Sequence, residues 1–187
     1  FRSQLDNLMV SKMFTIGELG IYNVIRGISV LPATDIITPS VEPLLASFSK
    51  VKHDVESLDL QFRTSLLMIF ILIMPICVVL ASYSNEIVFV LLGKNWIDQG
   101  PLLANLTVLL FTFSIGSILG NFYIAIGKVK LIFFYNVLSL IFIFTILVAF
   151  DDRNLADFAL LRGVLGLVTT SIWLLMALYF VKSNYLS

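Results

Sequence analysis

Three charges set inside an apolar stretch, Arg26, Asp35 and Glu42, are the residues of this chain best placed to do chemistry. They lie within LGIYNVIRGISVLPATDIITPSVEPLLASF, residues 19–48. An ionised side chain at the centre of a membrane-spanning helix costs on the order of 2.5–3.5 kcal/mol even on lenient insertion scales. Such groups therefore face a protein interior or a water-filled cavity. A guanidinium placed there presents a fork of donors to phosphate or carboxylate oxygens. Asn23 and Arg26, three apart, share one helix face, and Asp35, Thr38 and Glu42, at i, i+3 and i+7, share another. On a straight helix Arg26 and Asp35 point in roughly opposite directions, but Pro32 lies between them and can redirect the lower half.

Two readings stand for each of these groups. Arg26 either snorkels near the outer interface or faces a cavity as a fixed cation, and Asp6 is a possible partner for it. Glu42 is either an interfacial residue at the cytoplasmic boundary or part of the same polar path. Asp35, deeper, serves structural pairing or the handling of cargo or an ion. Arg162, near the outer end of the last apolar run, again either snorkels or faces the cavity.

The elements that must carry these residues are helices in a bilayer. Thirty helical residues reach about 45 Å at 1.5 Å each, enough to cross the bilayer and its interfaces. Pro32, Pro39 and Pro43 interrupt the hydrogen-bond ladder, which is tolerated at membrane depth where a cavity or neighbouring helices re-satisfy it. Of the 187 residues 59% are hydrophobic and 13% charged, against about 25% charged in a soluble domain. The net charge of zero gives no basic balance that would point to nucleic acid.

The apolar runs predict an all-α membrane protein of about six spans, roughly 1–14, 19–48, 64–82, 102–126, 131–150 and 158–181. The opening FRSQLDNLMVSKMF reads as the later part of a helix already under way, so the chain is expected to be a fragment of a longer protein. SKVKHDVESLD, residues 49–59, reads as a polar loop, with Asp54 and Glu56 helping to start the next helix. Pro75 is expected to kink the third span, and residues 85–96 read as a short interfacial helix flanked by Tyr83 and Trp96. Tyr179, like these two, fits interfacial anchoring. Gly116 and Gly120 form a GxxxG pattern that predicts close helix packing.

Orientation follows from the basic residues. Lys50, Lys52 and Arg63 surround the second connection, Lys128 and Lys130 the fourth, and Lys182 follows the last span. The alternate connections carry Glu18, Glu86, Asp98, Asp151, Asp152 and Asp157 against only Lys94 and Arg153. The even connections and the C-terminus are accordingly expected in the cytoplasm.

The single cysteine, Cys77, excludes an intrachain disulfide, and the single histidine, His53, has no partner cluster for a metal site. No P-loop, dinucleotide fingerprint or nucleophile elbow is present, so neither a cofactor nor an enzyme activity is expected.

LGIYNVIRGISVLP, then PSVEPLLASFSKVKHD, the LLGKNW stretch, PLLANLTVL and the AIGKVK turn follow one another in an order that resembles bacterial polysaccharide flippases. The chain is similar to the C-terminal six-helix half of a Wzx-type transporter, in the oligosaccharide branch of the multidrug/oligosaccharidyl-lipid/polysaccharide exporter superfamily. The resemblance implies one lobe of a two-lobed exporter in the bacterial cytoplasmic (inner) membrane, its N-terminal partner lobe lying outside this sequence. It also implies a polyprenyl-diphosphate-linked oligosaccharide as cargo, moved by alternating access. A membrane-embedded polymerase or ligase of the same pathway, or an assembly subunit, is the competing class. A polymerase would need a sizeable outer loop bearing catalytic residues, and the connections here are short.

Overall fold

The computed structural model describes residues 10–149 and 154–184. Those residues are helical throughout apart from short connections: α1 (Ile16–Pro32), a π-turn (Ala33–Ile37), α2 (Thr38–Val51), α3 (Val55–Ser82), α4 (Ser84–Leu92), a 3-10 turn (Lys94–Gln99), α5 (Gly100–Ala125), α6 (Val129–Ala149) and α7 (Leu155–Asn184). Five helices among them are long and apolar enough to cross a membrane, with α1 and α2 joined as one span. The chain is an all-α, multi-pass membrane protein. The expected first span falls mostly outside the described residues; the other five overlap the expected ones, with most ends shifted by a few residues and α3 beginning nine residues ahead of the expected 64.

The central post is α5, against which α1, α2, α3, α4 and α7 all pack, with α6 resting mainly on α7. A helix apolar all round is compatible with this position but does not select it, since α3, α6 and α7 are as apolar as α5. The hydroxyls of α5 do not disturb the packing: Thr107, Thr112 and Ser114 donate to the carbonyls of Leu103, Leu109 and Leu110 at 3.0, 3.0 and 2.7 Å. At one end Phe48 of α2, Phe62 of α3 and Phe122 of α5 lock together, with the Phe62 and Phe122 ring centroids 4.4 Å apart. At the other, Tyr22 of α1 and Phe158 of α7 meet edge to face at 6.0 Å. Trp173 of α7 lies between Tyr123 of α5 and Tyr135 of α6, stacked at 5.6 and 4.3 Å.

Two expectations are corrected. The loop at 49–59 shrinks to residues 52–54, since α2 runs to Val51 and α3 begins at Val55. Polar residues remain helical here because Asp54 caps α3 and Arg63 pairs with Asp59 at 2.7 Å one turn along. Pro75 lies inside α3, which stays helical from Val55 to Ser82. The close approach expected at Gly116 and Gly120 is tighter elsewhere: a Cβ on Gly116 would only touch the Trp173 ring at 4.0 Å and Gly120 faces nothing within 4 Å, whereas a Cβ on Gly163 would stand 3.0 Å from Val108 of α5. The pattern Ala159-x-x-x-Gly163 on α7 was the small-residue signal that mattered.

Asp54 accepts from the Ser57 hydroxyl at 2.5 Å and the Ser57 N–H at 3.3 Å, which hold its carboxyl below the ordinary aspartate range. A depressed carboxyl stabilises the fold above its unfolded value, and that contribution fades as pH falls through the folded one. Asp54→Ala should therefore lower the melting temperature in detergent slightly at neutral pH. Asp54→Asn, which also caps, should restore most of it. Equal melting of the wild type and Asp54→Ala at neutral pH would show that the cap is idle.

Candidate functional site

The segment Ile16–Val51 is a helix with two faces whose continuity depends on the π-turn. Its buried stripe runs through Tyr22, Ile25, Ser29, Ala33, Ile37, Val41 and Phe48, all against the core. On an uninterrupted α-helix the stretch from Ile25 to Val41 would swing about 160° out of line. The i→i+5 turn takes up one residue and leaves a drift of about 60°, inside the width of an ordinary buried stripe. Pro32 immediately precedes this turn, and Thr38 closes it by directing both its N–H and its hydroxyl (3.0 Å) to the Ala33 carbonyl. The redirection between Arg26 and Asp35 thus has a specific cause.

The same adjustment gathers an outward face. Asn23, Gly27, Thr34, Asp35, Pro39, Ser40, Glu42, Pro43 and Ala46 are exposed along it, interleaved with the apolar Val24, Leu31 and Ile36. Asn23 donates to the Leu19 carbonyl at 3.0 Å and Ser40 to that of Ile36 at 2.7 Å. The Thr34 hydroxyl lies within reach of both the Leu31 carbonyl (3.0 Å) and the Asp35 carboxylate (3.1 Å). Thr38 and Arg26 are half-buried at the edges of this face. Pro39 and Pro43 bring no N–H, so the carbonyls of Asp35 and Pro39 lose their i+4 donors.

The other spanning helices present something different outward. On α3 the exposed residues from Leu67 onward are Met68, Phe70, Ile71, Leu72, Met74, Pro75, Val78 and Val79, with no polar side chain before Ser82. On α6 they are chiefly Phe133, Phe134, Leu138, Ile141, Phe142 and Phe144, and on α7 chiefly Leu160, Val164, Val168, Ile172, Leu175 and Met176. These are lipid-compatible surfaces. The α1–α2 face is not.

Of the residues singled out in the sequence, Asn23, Arg26, Asp35, Thr38 and Glu42 line one side of this single helix. Arg162 sits apart, buried on α7, its Nη1 3.5 Å from where a Cβ on Gly166 would stand and beside Thr112 of α5. It packs between two helices rather than reaching for an interface. Asp6 lies outside the described residues. Sequence reading missed the cross-helix amides: Asn121 donates to the Val41 carbonyl at 2.9 Å and Asn105 to that of Ala156 at 2.8 Å, pinning α2 and α7 to α5. A lone Asn in an apolar run was the available signal. Tyr83 and Tyr179 are exposed, whereas Trp96 is half-buried against the core. Among the described residues no group of three His, Cys, Asp or Glu gathers as a metal site.

Residues 1–101, which include the whole two-faced helix, match the family model described as polysaccharide biosynthesis protein. The chain belongs to that family. It is also 27% identical over 135 residues to the lipopolysaccharide biosynthesis protein WzxC of Escherichia coli (strain K12). That alignment covers 72% of this chain and 27% of the relative, so the chain spans about a quarter of the relative's length. No solved structure matches.

Proposed function

We propose that these helices form one lobe, the C-terminal one, of a two-lobed flippase that moves a polyprenyl-diphosphate-linked oligosaccharide across the bacterial cytoplasmic membrane by alternating access. The observation that carries this reading is the contrast between faces. Beyond Leu67 on α3, and on α6 and α7 apart from Thr145 and Ser171, the outward side chains from the helix middles are apolar, whereas α1–α2 turns out Asn23, Thr34, Asp35, Ser40 and Glu42. In hydrocarbon each such group would be costly, so the face belongs against water or a second polar surface. A partner lobe elsewhere in the complete protein supplies that surface, and the gap between the lobes is the cargo path. Within it Arg26, at the edge of the face, takes diphosphate oxygens, and Asn23, Asp35, Thr38 and Glu42 line the remaining wall. Asp6 is a further candidate for this path. The short connections favour transport over polymerisation, and no enzyme chemistry or cofactor is assigned. The Lys/Arg distribution supports cytoplasmic placement of the 52–54 turn, the 126–128 turn and the C-terminus.

Single cysteines in the complete protein, with Cys77 replaced by Ser, test both path and orientation. Cysteines at Asp98 and Asp157, both exposed, should react with a membrane-impermeant thiol reagent applied outside intact cells, and one at His53 only after the cells are opened. Cysteines at Asn23 and Glu42 should react with a small water-soluble reagent while cysteines at Ile71 and Leu175 stay silent. Silence at Asn23 and Glu42 would remove the cavity, and a reversed pattern at the loops would invert the topology.

A further inference from the structure

We infer that the π-turn at Ala33–Ile37 is a positioning element for the cargo path, a one-residue insertion whose product is an outward bulge carrying Asp35. This rests on the cavity reading above. The packing of the helix does not require the extra residue. With one residue fewer and no π-turn, Ile25 and Val41 would differ by the same angle of about 60° that the present turn leaves. Both buried stripes would keep their places on α5. The insertion changes the opposite side instead: Thr34, Asp35 and Ile36 are all exposed, three residues in succession, where the flanking outward turns of α1 and α2 from Leu19 to Val51 expose at most two.

Three features hold the bulge in place. Pro32 ends the ordinary ladder just before it, and Pro39 supplies no donor just after it. Thr38 gives the Ala33 carbonyl a second donor through its hydroxyl, so the wide turn leaves that carbonyl satisfied at both lone pairs. The Thr34 hydroxyl, 3.1 Å from the carboxylate of Asp35, steadies that side chain at the crest. A turn wanted only for bending needs neither latch. Asp35 is the charged residue at the crest, and its displacement from the helix axis is what the insertion provides. Thr38 is accordingly a positioning residue, acting through the turn.

The test deletes Ile36, an exposed residue, from the complete protein (ΔIle36), with ΔThr34 as a second deletion in the same turn. Export is read as surface polysaccharide in a strain lacking its own flippase, normalised to folded protein in the membrane. Either deletion should leave abundance and detergent melting near wild type and lower export per folded molecule at least tenfold. Thr38→Val should lower export in the same direction and Thr38→Ser should restore it. Wild-type export by a folded deletion variant, with cysteines at Asn23 and Glu42 still reactive, would overturn the positioning role and leave the cavity standing. Unreactive cysteines at both positions would instead overturn the cavity reading itself. If neither deletion gives folded protein, the extra residue is required for packing and the inference fails.

Discussion

Arg26→Ala should abolish most surface-polysaccharide production while the protein inserts and accumulates normally. Removing a charge from a spanning helix lowers its insertion cost, so a drop in abundance is not expected. Arg26 is half-buried at the edge of the polar outward face of α1–α2, one residue from the buried Ile25 and next to the exposed Gly27. From there a guanidinium can make paired, charge-assisted bonds to diphosphate oxygens. Hydrogen bonds to charged groups are worth about 1.5–3 kcal/mol, which corresponds to a roughly 10- to 150-fold loss of binding when they are removed. Arg26→Lys keeps the charge without the planar fork and should retain part of the activity. The measurement is complementation of a flippase-deficient strain, with export normalised to protein level by blot. Full complementation by Arg26→Ala would strip this residue of its role without touching family membership.

Gly163→Leu should have the largest effect on the fold. The α5–α7 contact is the most extensive in the molecule, and at its tightest point a Cβ on Gly163 would stand 3.0 Å from the Val108 Cβ, 3.2 Å from its Cγ1 and 3.4 Å from the Asn105 carbonyl. The neighbouring backbone cannot swing aside, because Asn105 is also bonded through its side chain to the Ala156 carbonyl of α7. Overpacking of this kind costs typically about 1–3 kcal/mol, and a leucine drives three further carbons into the same gap. Gly163→Leu should lose most of its folded fraction in detergent, and Gly163→Ala should melt several degrees below wild type. Pairing Gly163→Ala with Val108→Ala, which vacates the colliding isopropyl group, should recover much of that loss. Wild-type melting of Gly163→Leu would mean that α5 and α7 do not cross at this glycine. Gly120→Ala provides the contrast, since nothing lies within 4 Å of that position, and it should be silent.

The charge placement shows why part of the site was readable before the fold. Arg26, Asp35 and Glu42 stand out because an apolar helix cannot hold them against lipid, a constraint written in residue type alone. Their common surface was less readable. Counting at 100° per residue sets Arg26 and Asp35 back to back, and only the i→i+5 turn after Pro32 brings the outward halves into line. Proline announces that the ladder must break but does not state whether the result is a kink, a gap or a π-turn. At Pro75, α3 stays helical with no π-turn.

By itself the sequence determined the helical class, the membrane, the order of the spans and the set of charges needing a polar surround. Each depends on local composition and on runs long enough to span hydrocarbon, and neither needs knowledge of neighbours. Tertiary structure alone decided that α5 is the post, since α3, α6 and α7 are as apolar as α5 and offer no internal clue to which is surrounded. It also chose Gly163 over Gly116 and Gly120 as the point of closest approach, because a glycine matters only where another backbone arrives. Burial of Arg162 beside Thr112 was decided in the same way: its distance along α7 suggested an interface, while the packing of α7 on α5 enclosed it. Contact between segments far apart in the chain is not encoded in the periodicity of either one.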